Sequence, residues 1–347
     1  MKPTFVTFLD YHDHLPPSPS FVSYFPPARI LETDWLTQCK QLTNQLTAAG
    51  LQDLAILPGS DAYANREASY WAANVPLHPN CIVQPRTTEE VSRIVKALAG
   101  IDSSVALRSG GHTQWAGSND IHNGITIDLG LMTQVTYDAT SNLASIQPGP
   151  RWGDVYLELL KYNVCVAGGR DGNVGIGGFL TGGGNSYFAG VRGFACDNVA
   201  NFEVVLANGD IINANKTSHS DLWKALKGGS GNFGIVTRFD LNAFPAKDIW
   251  GGIRASARSE GDALAQTMVD FTNNNQKNPE DAYIINYTFN PSSSPEVLVA
   301  HVVVDTNGVV NASAFDKIRK IPAAVDDVKK RTMENMADSY LLPSHQQ

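Results

Sequence analysis

Nine of the seventeen residues from Gly168 to Gly184 are glycine. No helix or strand interior carries glycine at that density, because each one gives up backbone entropy on folding and offers no side chain to pack. The run reads as a loop that another group approaches closely; a plain surface loop is the alternative, at a large entropic cost. A shorter glycine turn, Arg108-Ser109-Gly110-Gly111-His112, follows the apolar run Val105-Ala106-Leu107. A strand that stops in Ser-Gly-Gly presents successive backbone N–H groups, and such concavities bind phosphate. His112 then stands beside whatever molecule carries the phosphate. Taken alone, the pentapeptide fits a tight turn with a surface histidine equally well.

At 347 residues the chain exceeds the usual single domain, so two units are expected. With 43% hydrophobic and 17% charged residues it can bury a real core. A formal charge of −8 argues against nucleic acid or an anionic membrane as partner, and no apolar run is long enough to cross a bilayer. The N-terminus opens like a signal peptide, but Asp10, His12, Asp13 and His14 interrupt it, so none is expected. The four cysteines include no C-x-x-C spacing. Cys39 and Cys81 can bridge in an oxidising compartment, while Cys165 and Cys196 read as buried thiols. The eight histidines do not pair at ligand spacings, so no metal site is expected.

Residues 1–30, with Pro16-Pro17, Pro19 and Pro26-Pro27, read as an extended lead-in. Asp34 caps a helix that stops at Gly50. Cys81-Ile82-Val83 is a short strand. Thr87 and Glu90 have capping-box spacing ahead of Val91, Ile94, Val95 and Leu98, which share one helical face. Strand, helix and the strand into the Gly-Gly-His turn make a βαβ unit, whose strand C-termini are where such sheets bind ligands. Strands are predicted over 125–129, 134–137 and 143–147, and a helix over 152–160. Asn208-Gly209 is the strongest hairpin turn signal, between strands 202–207 and 211–214. A final strand runs over 234–244. Beyond Pro245 a helix near 262–273 and strands over 283–289 and 297–304 begin an α+β unit. Those strands are too few for a covered sheet, and the tail from Asp326 adds at most one helix.

Two common uses of glycine fail on the residues. Gly175-x-Gly177-Gly178 is followed by Phe179-Leu180, so the third glycine of the dinucleotide fingerprint is missing. Gly228-Gly229-Ser230-Gly231-Asn232 has asparagine where a nucleophile elbow needs glycine. Two separate turns clamping one diphosphate from opposite sides remain.

With Asp197-Asn198-Val199 and the run Gly228 to Thr237, these motifs resemble the FAD-linked oxidases of the vanillyl-alcohol-oxidase/p-cresol-methylhydroxylase type, most closely the berberine-bridge-enzyme-like proteins. The resemblance covers roughly residues 55–250. It implies an α+β fold: a two-subdomain PCMH-type FAD-binding domain (55–248) after an N-terminal lead-in and helix (1–54), then a partial antiparallel-sheet substrate domain (249–347). It implies FAD bonded covalently through His112, with cofactor contacts from Arg108, Ser109, Gly110, Gly111, Ser118, Gly175, Gly177, Gly178, Thr181, Gly182, Gly183, Ile235 and Val236. Cys39 and Cys81 resemble the family's N-terminal disulfide pair, which would suit a secretory compartment.

Bicovalent members place a cysteine just before the V-G-x-G-G run; here the position is Asp171, so a single link is expected. Phe179 stands where some members carry histidine. Members also continue past the point where this chain ends, which leaves the rest of the substrate sheet, the segment returning to the FAD domain and the usual catalytic base without counterparts. The expected activity is oxidation of a small organic substrate, by hydride transfer to the flavin with O₂ as acceptor. Tyr283 and Tyr287 are the local candidates for a base, with core packing as the alternative. The rival reading is a non-catalytic flavin-binding remnant, and a third is a glycine-rich binder without redox activity.

Overall fold

The computed structural model describes residues 34–289 and 294–340, with side chains from residue 39 onward. The proline-rich lead-in and Pro291-Ser292-Ser293 lie outside the described residues. Helix α1 (Asp34–Ala48) buries Leu42 and Leu46, and the chain reverses at Gly50 with φ +67°. Then come β1 (Ala55–Ile56), α2 (Asp61–Glu67), β2 (Cys81–Val83), α3 (Thr88–Leu98), β3 (Val105–Arg108) and β4 (Ile125–Asp128). They form a sheet of order β1-β2-β4-β3, with β4 parallel to both β2 and β3. The βαβ unit is present, but its crossover skips a position that β4 fills. Every residue of β2 and β4 is buried, as expected for parallel strands covered on both faces. Half of the expected capping box forms: Thr87 Oγ1 accepts from Glu90 N, whereas the Glu90 carboxylate accepts from Arg86 N.

A second sheet follows from β5 (Val135–Asp138) and β6 (Leu143–Ile146), then α4 (Trp152–Leu160), β7 (Val164–Cys165), α5 (Ile176–Thr181) and α6 (Ala189–Arg192). It continues with β8 (Val199–Val205), β9 (Ile211–Asn215), α7 (Ser220–Ala225), β10 (Ile235–Asn242) and the short β11 (Phe244–Pro245). Its order is β5-β6-β10-β8-β9, antiparallel throughout, while β11 pairs with β7. Asn208-Gly209 makes the predicted hairpin, with Gly209 at φ +82°. Trp152, Val155 and Leu159 of α4 join Phe202 and Phe239 of this sheet in the largest core.

The third sheet is more complete than the sequence suggests. Its strands are β12 (Ile249–Ala257), β13 (Asp281–Thr288), β14 (Leu298–Asp305), β15 (Val325–Asp326) and β16 (Lys329–Arg331), with α8 (Gly261–Asn274) and α9 (Asp316–Arg319) between them. The order is β13-β14-β12-β15, and β16 also pairs with β12. The central strand β12 escapes a periodicity reading because it contains Gly251-Gly252. A Cβ at Gly251 would stand 2.8 Å from Val303 O, and one at Gly252 would strike Asp327 O, so these glycines admit close neighbours. One face, with Trp250, Tyr283 and Val303, packs on Phe271 of α8 and on Phe315. The opposite face, with Ile253, Ile284 and Val302, joins the largest core.

The tail supplies the one helix expected of it, but, against expectation, that helix returns to the first unit. Beyond β16, helix α10 (Met333–Ser339) returns to α4, with Met336 and Ala337 fully buried in the largest core. Gly172 N donates to Ala337 O at 3.0 Å.

Candidate cofactor and active site

The site starts where β3 ends. Arg108 is completely buried. Its Nη1 donates to Arg66 O (2.8 Å) and its Nη2 to Ser69 Oγ (2.7 Å), while the guanidinium lies 3.7 Å from the Tyr70 ring centroid. Its Nε is buried with no acceptor among the described residues. Gly111 follows at φ +64°, where a Cβ would come within 2.9 Å of that Nε, so the tight path over Arg108 requires glycine. Gly111 O accepts from Trp71 N at 3.0 Å, and the Trp71 ring stacks on His112 with centroids 4.8 Å apart at 24°. Burial lowers the His112 pKa, opposed by the Asp171 carboxylate and reinforced by Arg151. The imidazole is therefore neutral at pH 7 and keeps a nucleophilic ring nitrogen.

The two glycine turns meet at Gly110 and Gly175. A Cβ on Gly110 would stand 2.5 Å from Gly175 Cα and 2.5 Å from Arg151 Nη1. Ser109 Oγ ties the same seam, donating to Pro148 O (2.6 Å) and accepting from Gly177 N (3.0 Å). Gly175 bridges Arg151, whose Nη1 donates to Asn173 O at 3.0 Å. Further along, Thr181 Oγ1 donates to Gly177 O and Gly182 N to Gly178 O, closing α5. Nothing lies within 4 Å of a Cβ built at Gly178 or Gly183, so both face open space beside the seam.

The charge around the seam is positive. Burial, then mutual repulsion with Arg108 and Arg66, lowers the Arg151 pKa. Arg66 pairs with Asp128 at 2.5 Å, but among the described residues neither the Arg108 nor the Arg151 guanidinium has a carboxylate oxygen within 4 Å; Asp154 Oδ2 accepts only from the Arg151 backbone N. Two desolvated guanidiniums with no carboxylate in direct contact, an orphaned N–H and an open glycine cradle are suited to an anion carrying several oxygens.

Of the other predicted site residues, Val236 is buried and Ile235 half-buried at the start of β10, opposite Val204 and Val205. Ser118 is on an exposed turn, with its Oγ donating to Trp115 O at 3.0 Å. Tyr283 and Tyr287 stand on the α8 side of the third sheet, not on the side that meets the first two sheets. The Tyr283 hydroxyl lies 3.0 Å from Thr267 Oγ1, and burial pushes its pKa up to about 12. Tyr287 is half exposed with Arg258 over its ring. Both pack; neither faces the glycine turns. Sequence reasoning missed Arg66, Trp71 and Arg151. Arg151 directly follows the strand-breaking Gly149-Pro150 and was within reach of a charge reading, whereas nothing local marks Arg66 or Trp71.

Cys39 and Cys81, the expected disulfide pair, are free buried thiols close enough to shift each other's pKa. Cys165 and Cys196 are buried free thiols, as expected. Among the described residues no helix is long and apolar enough to cross a membrane.

Residues 79–215 match the FAD binding domain family FAD_binding_4. The chain is 38% identical over 289 residues to the FAD-dependent monooxygenase sdcF of Emericella nidulans, covering 82% of this chain and 60% of that relative. In structure it is similar to Physcomitrella patens BBE-like 1, with TM-score 0.74, 20% identity, and coverage of 87% of this chain and 66% of that one. It is also similar to the glucooligosaccharide oxidase of Acremonium strictum, which carries a 6-S-cysteinyl, 8α-N1-histidyl FAD. There the TM-score is 0.71 and the identity 24%, covering 87% of this chain and 63% of that one. The chain thus spans about three fifths of the length of the proteins it resembles. Residues 79–215 thus form an FAD binding domain of the FAD_binding_4 family, and the chain as a whole has the fold of the berberine-bridge-like proteins.

Proposed function

We propose that this chain is an oxidase-type flavoenzyme: it holds the FAD diphosphate between the Ser109–Gly111 and Gly175–Gly183 turns and carries the flavin on His112 through one covalent bond. It oxidises a small organic substrate, with O₂ as acceptor. The observation that carries this reading is the Gly110–Gly175 seam, flanked by the buried guanidiniums of Arg108 and Arg151, neither in direct contact with a carboxylate among the described residues. A diphosphate fits that setting in size, charge and hydrogen-bonding demand. His112, neutral and stacked on Trp71, suits attachment to the 8α carbon of the flavin. Asp171 in place of a cysteine supports one link rather than the two in the Acremonium enzyme.

FAD, when bound, supplies the redox chemistry, taking a hydride from the substrate and passing the electrons to O₂. The protein binds, orients and excludes water. We assign residues 55–248 to cofactor binding and the third sheet to the substrate. Its Ile253, Ile284 and Asn286 share the face directed at the first two sheets, which supports a largely apolar substrate there. The monooxygenase name of the fungal relative supports oxygen as a co-substrate.

Acid precipitation of the purified protein tests the reading. Yellow colour that stays with the polypeptide supports covalent FAD, and colour without oxidase turnover supports a flavin-binding remnant. A colourless protein that takes up no added FAD overturns it.

A further inference from the structure

Behind the β7–β11 pair, away from both glycine turns, a cavity of about 390 Å³ opens between α4, α6 and the third sheet. That volume is in the range of small-molecule pockets, which favour junctions of this kind. Its walls are mixed: Tyr156, Phe188, Phe244 and the free thiol of Cys165 form an apolar and aromatic part, and charged and polar groups the rest. Phe188 and Phe244 meet edge to face, with centroids 4.9 Å apart.

The informative residue is Arg192. Its guanidinium lies 3.6 Å from the Phe244 ring centroid, and no carboxylate is within 4 Å of it among the described residues. No side-chain hydrogen bond from Arg192 is formed there either, so its donors and one charge face the cavity unpaired. The other charged groups around the cavity are Lys247, Asp248, Glu280 and Glu334. Those three carboxylates oppose a ligand with several negative charges, whereas a single anionic group can meet the Arg192 guanidinium on its aromatic wall, with Lys247 as a second cation that has no carboxylate within 4 Å among the described residues.

We propose that this cavity is an accessory site for a small aromatic monocarboxylate, with the carboxylate on Arg192 and the ring among Phe188, Phe244 and Tyr156. A charge-assisted fork of this kind carries much of the affinity of a small ligand. Because the walls come from the first unit and from the third sheet together, an occupant braces their junction.

Titration calorimetry with 2-naphthoate at pH 7 tests this on the full chain, with neutral 2-naphthylmethanol as control. Saturable binding is expected, weakened at least about tenfold in Arg192→Met and in the alcohol, as expected for loss of a charged hydrogen bond. Leu160→Trp, which fills the cavity from the last turn of α4 and leaves the charges in place, should also abolish it. No saturable binding to the wild type overturns the proposal, as does equal binding by wild type and Arg192→Met. If Arg192→Met fails to fold, Leu160→Trp decides: retained affinity places the ligand elsewhere and overturns the site.

Discussion

Gly110 and Gly175, sixty-five positions apart, touch through their backbones so closely that a methyl group on Gly110 would stand 2.5 Å from Gly175 Cα. Gly178, three residues on, faces open space. The contrast separates two jobs of glycine that a sequence cannot tell apart: letting two chain segments meet, and leaving room for a ligand.

Gly110→Ala should therefore destabilise the protein by about 1–3 kcal/mol through overpacking, and lower FAD affinity with it. Gly178→Ala should leave the melting temperature unchanged or slightly raised, because alanine is the better helix former inside α5, while still weakening FAD binding. Thermal melts paired with FAD titrations check this. Full FAD affinity in Gly178→Ala would remove the open space from the cradle.

His112→Ala should fold and still bind FAD, but release it on acid precipitation. Trp71→Ala, which removes the stacked ring and leaves the imidazole in place, should lower the covalently attached fraction. In-gel flavin fluorescence after denaturation measures both. Flavin that stays attached in His112→Ala would place the link on another residue.

Arg151→Met should weaken FAD binding by roughly 10–100-fold, the range for losing a charge-assisted hydrogen bond to a buried anion. Binding should also become less sensitive to added NaCl, since one of the charges screened by salt is gone. Affinity equal to wild type at low salt would separate Arg151 from the diphosphate.

The turn at Ser109–Gly111, the hairpin at Asn208-Gly209 and helix α4 were legible because each depends on local chemistry: φ > 0, close approach, a 3.6-residue period; the run Gly168–Gly184, read as a loop, instead folds its middle into helix α5. Strand β12 was not, since Gly251-Gly252 erases its alternation and its place at the centre of the sheet is set by Val303 and Asp327, which are remote in sequence. The faces of β13 were equally hidden. Alternation puts Tyr283 opposite Ile284, but only packing against α8 decides which side meets the cofactor unit. Trp71 and Arg66 come to the site through the fold alone.

His301 is fully buried on β14, with Nε2 3.1 Å from Ser256 Oγ and Nδ1 without a partner among the described residues. Burial, then the facing Arg254 guanidinium, holds its pKa down at about 4, against 6.5 when free. The unfolded chain thus binds the extra proton first. The stability contributed by the neutral ring is complete above about pH 6.5 and is lost as pH falls towards 4, by up to ~3 kcal/mol. His301→Gln should flatten the dependence of melting temperature on pH between 6.5 and 4. An unchanged slope would place the acid sensitivity elsewhere.

Asp281 runs the opposite way. It is buried at the start of β13, in register with Asp305 of β14, and its Oδ1 has no hydrogen-bond partner among the described residues. Asp305 Oδ1 is engaged by Asn307 N (2.9 Å) and Val309 N (2.8 Å). Burial, then the neighbouring Asp305 carboxylate, pushes the Asp281 pKa up to about 7, so the folded protein keeps a proton that the unfolded chain has released. This stability is fully present below the free value of 3.8 and declines as pH rises through about 7. Asp281→Asn, which presents a neutral amide to Asp305 at every pH, should raise the melting temperature by about 2 °C or more at pH 8. At pH 4, where Asp281 keeps its proton in the fold, the two proteins should melt nearly together. A gain of equal size at both pH values would trace the effect to packing and not to the proton.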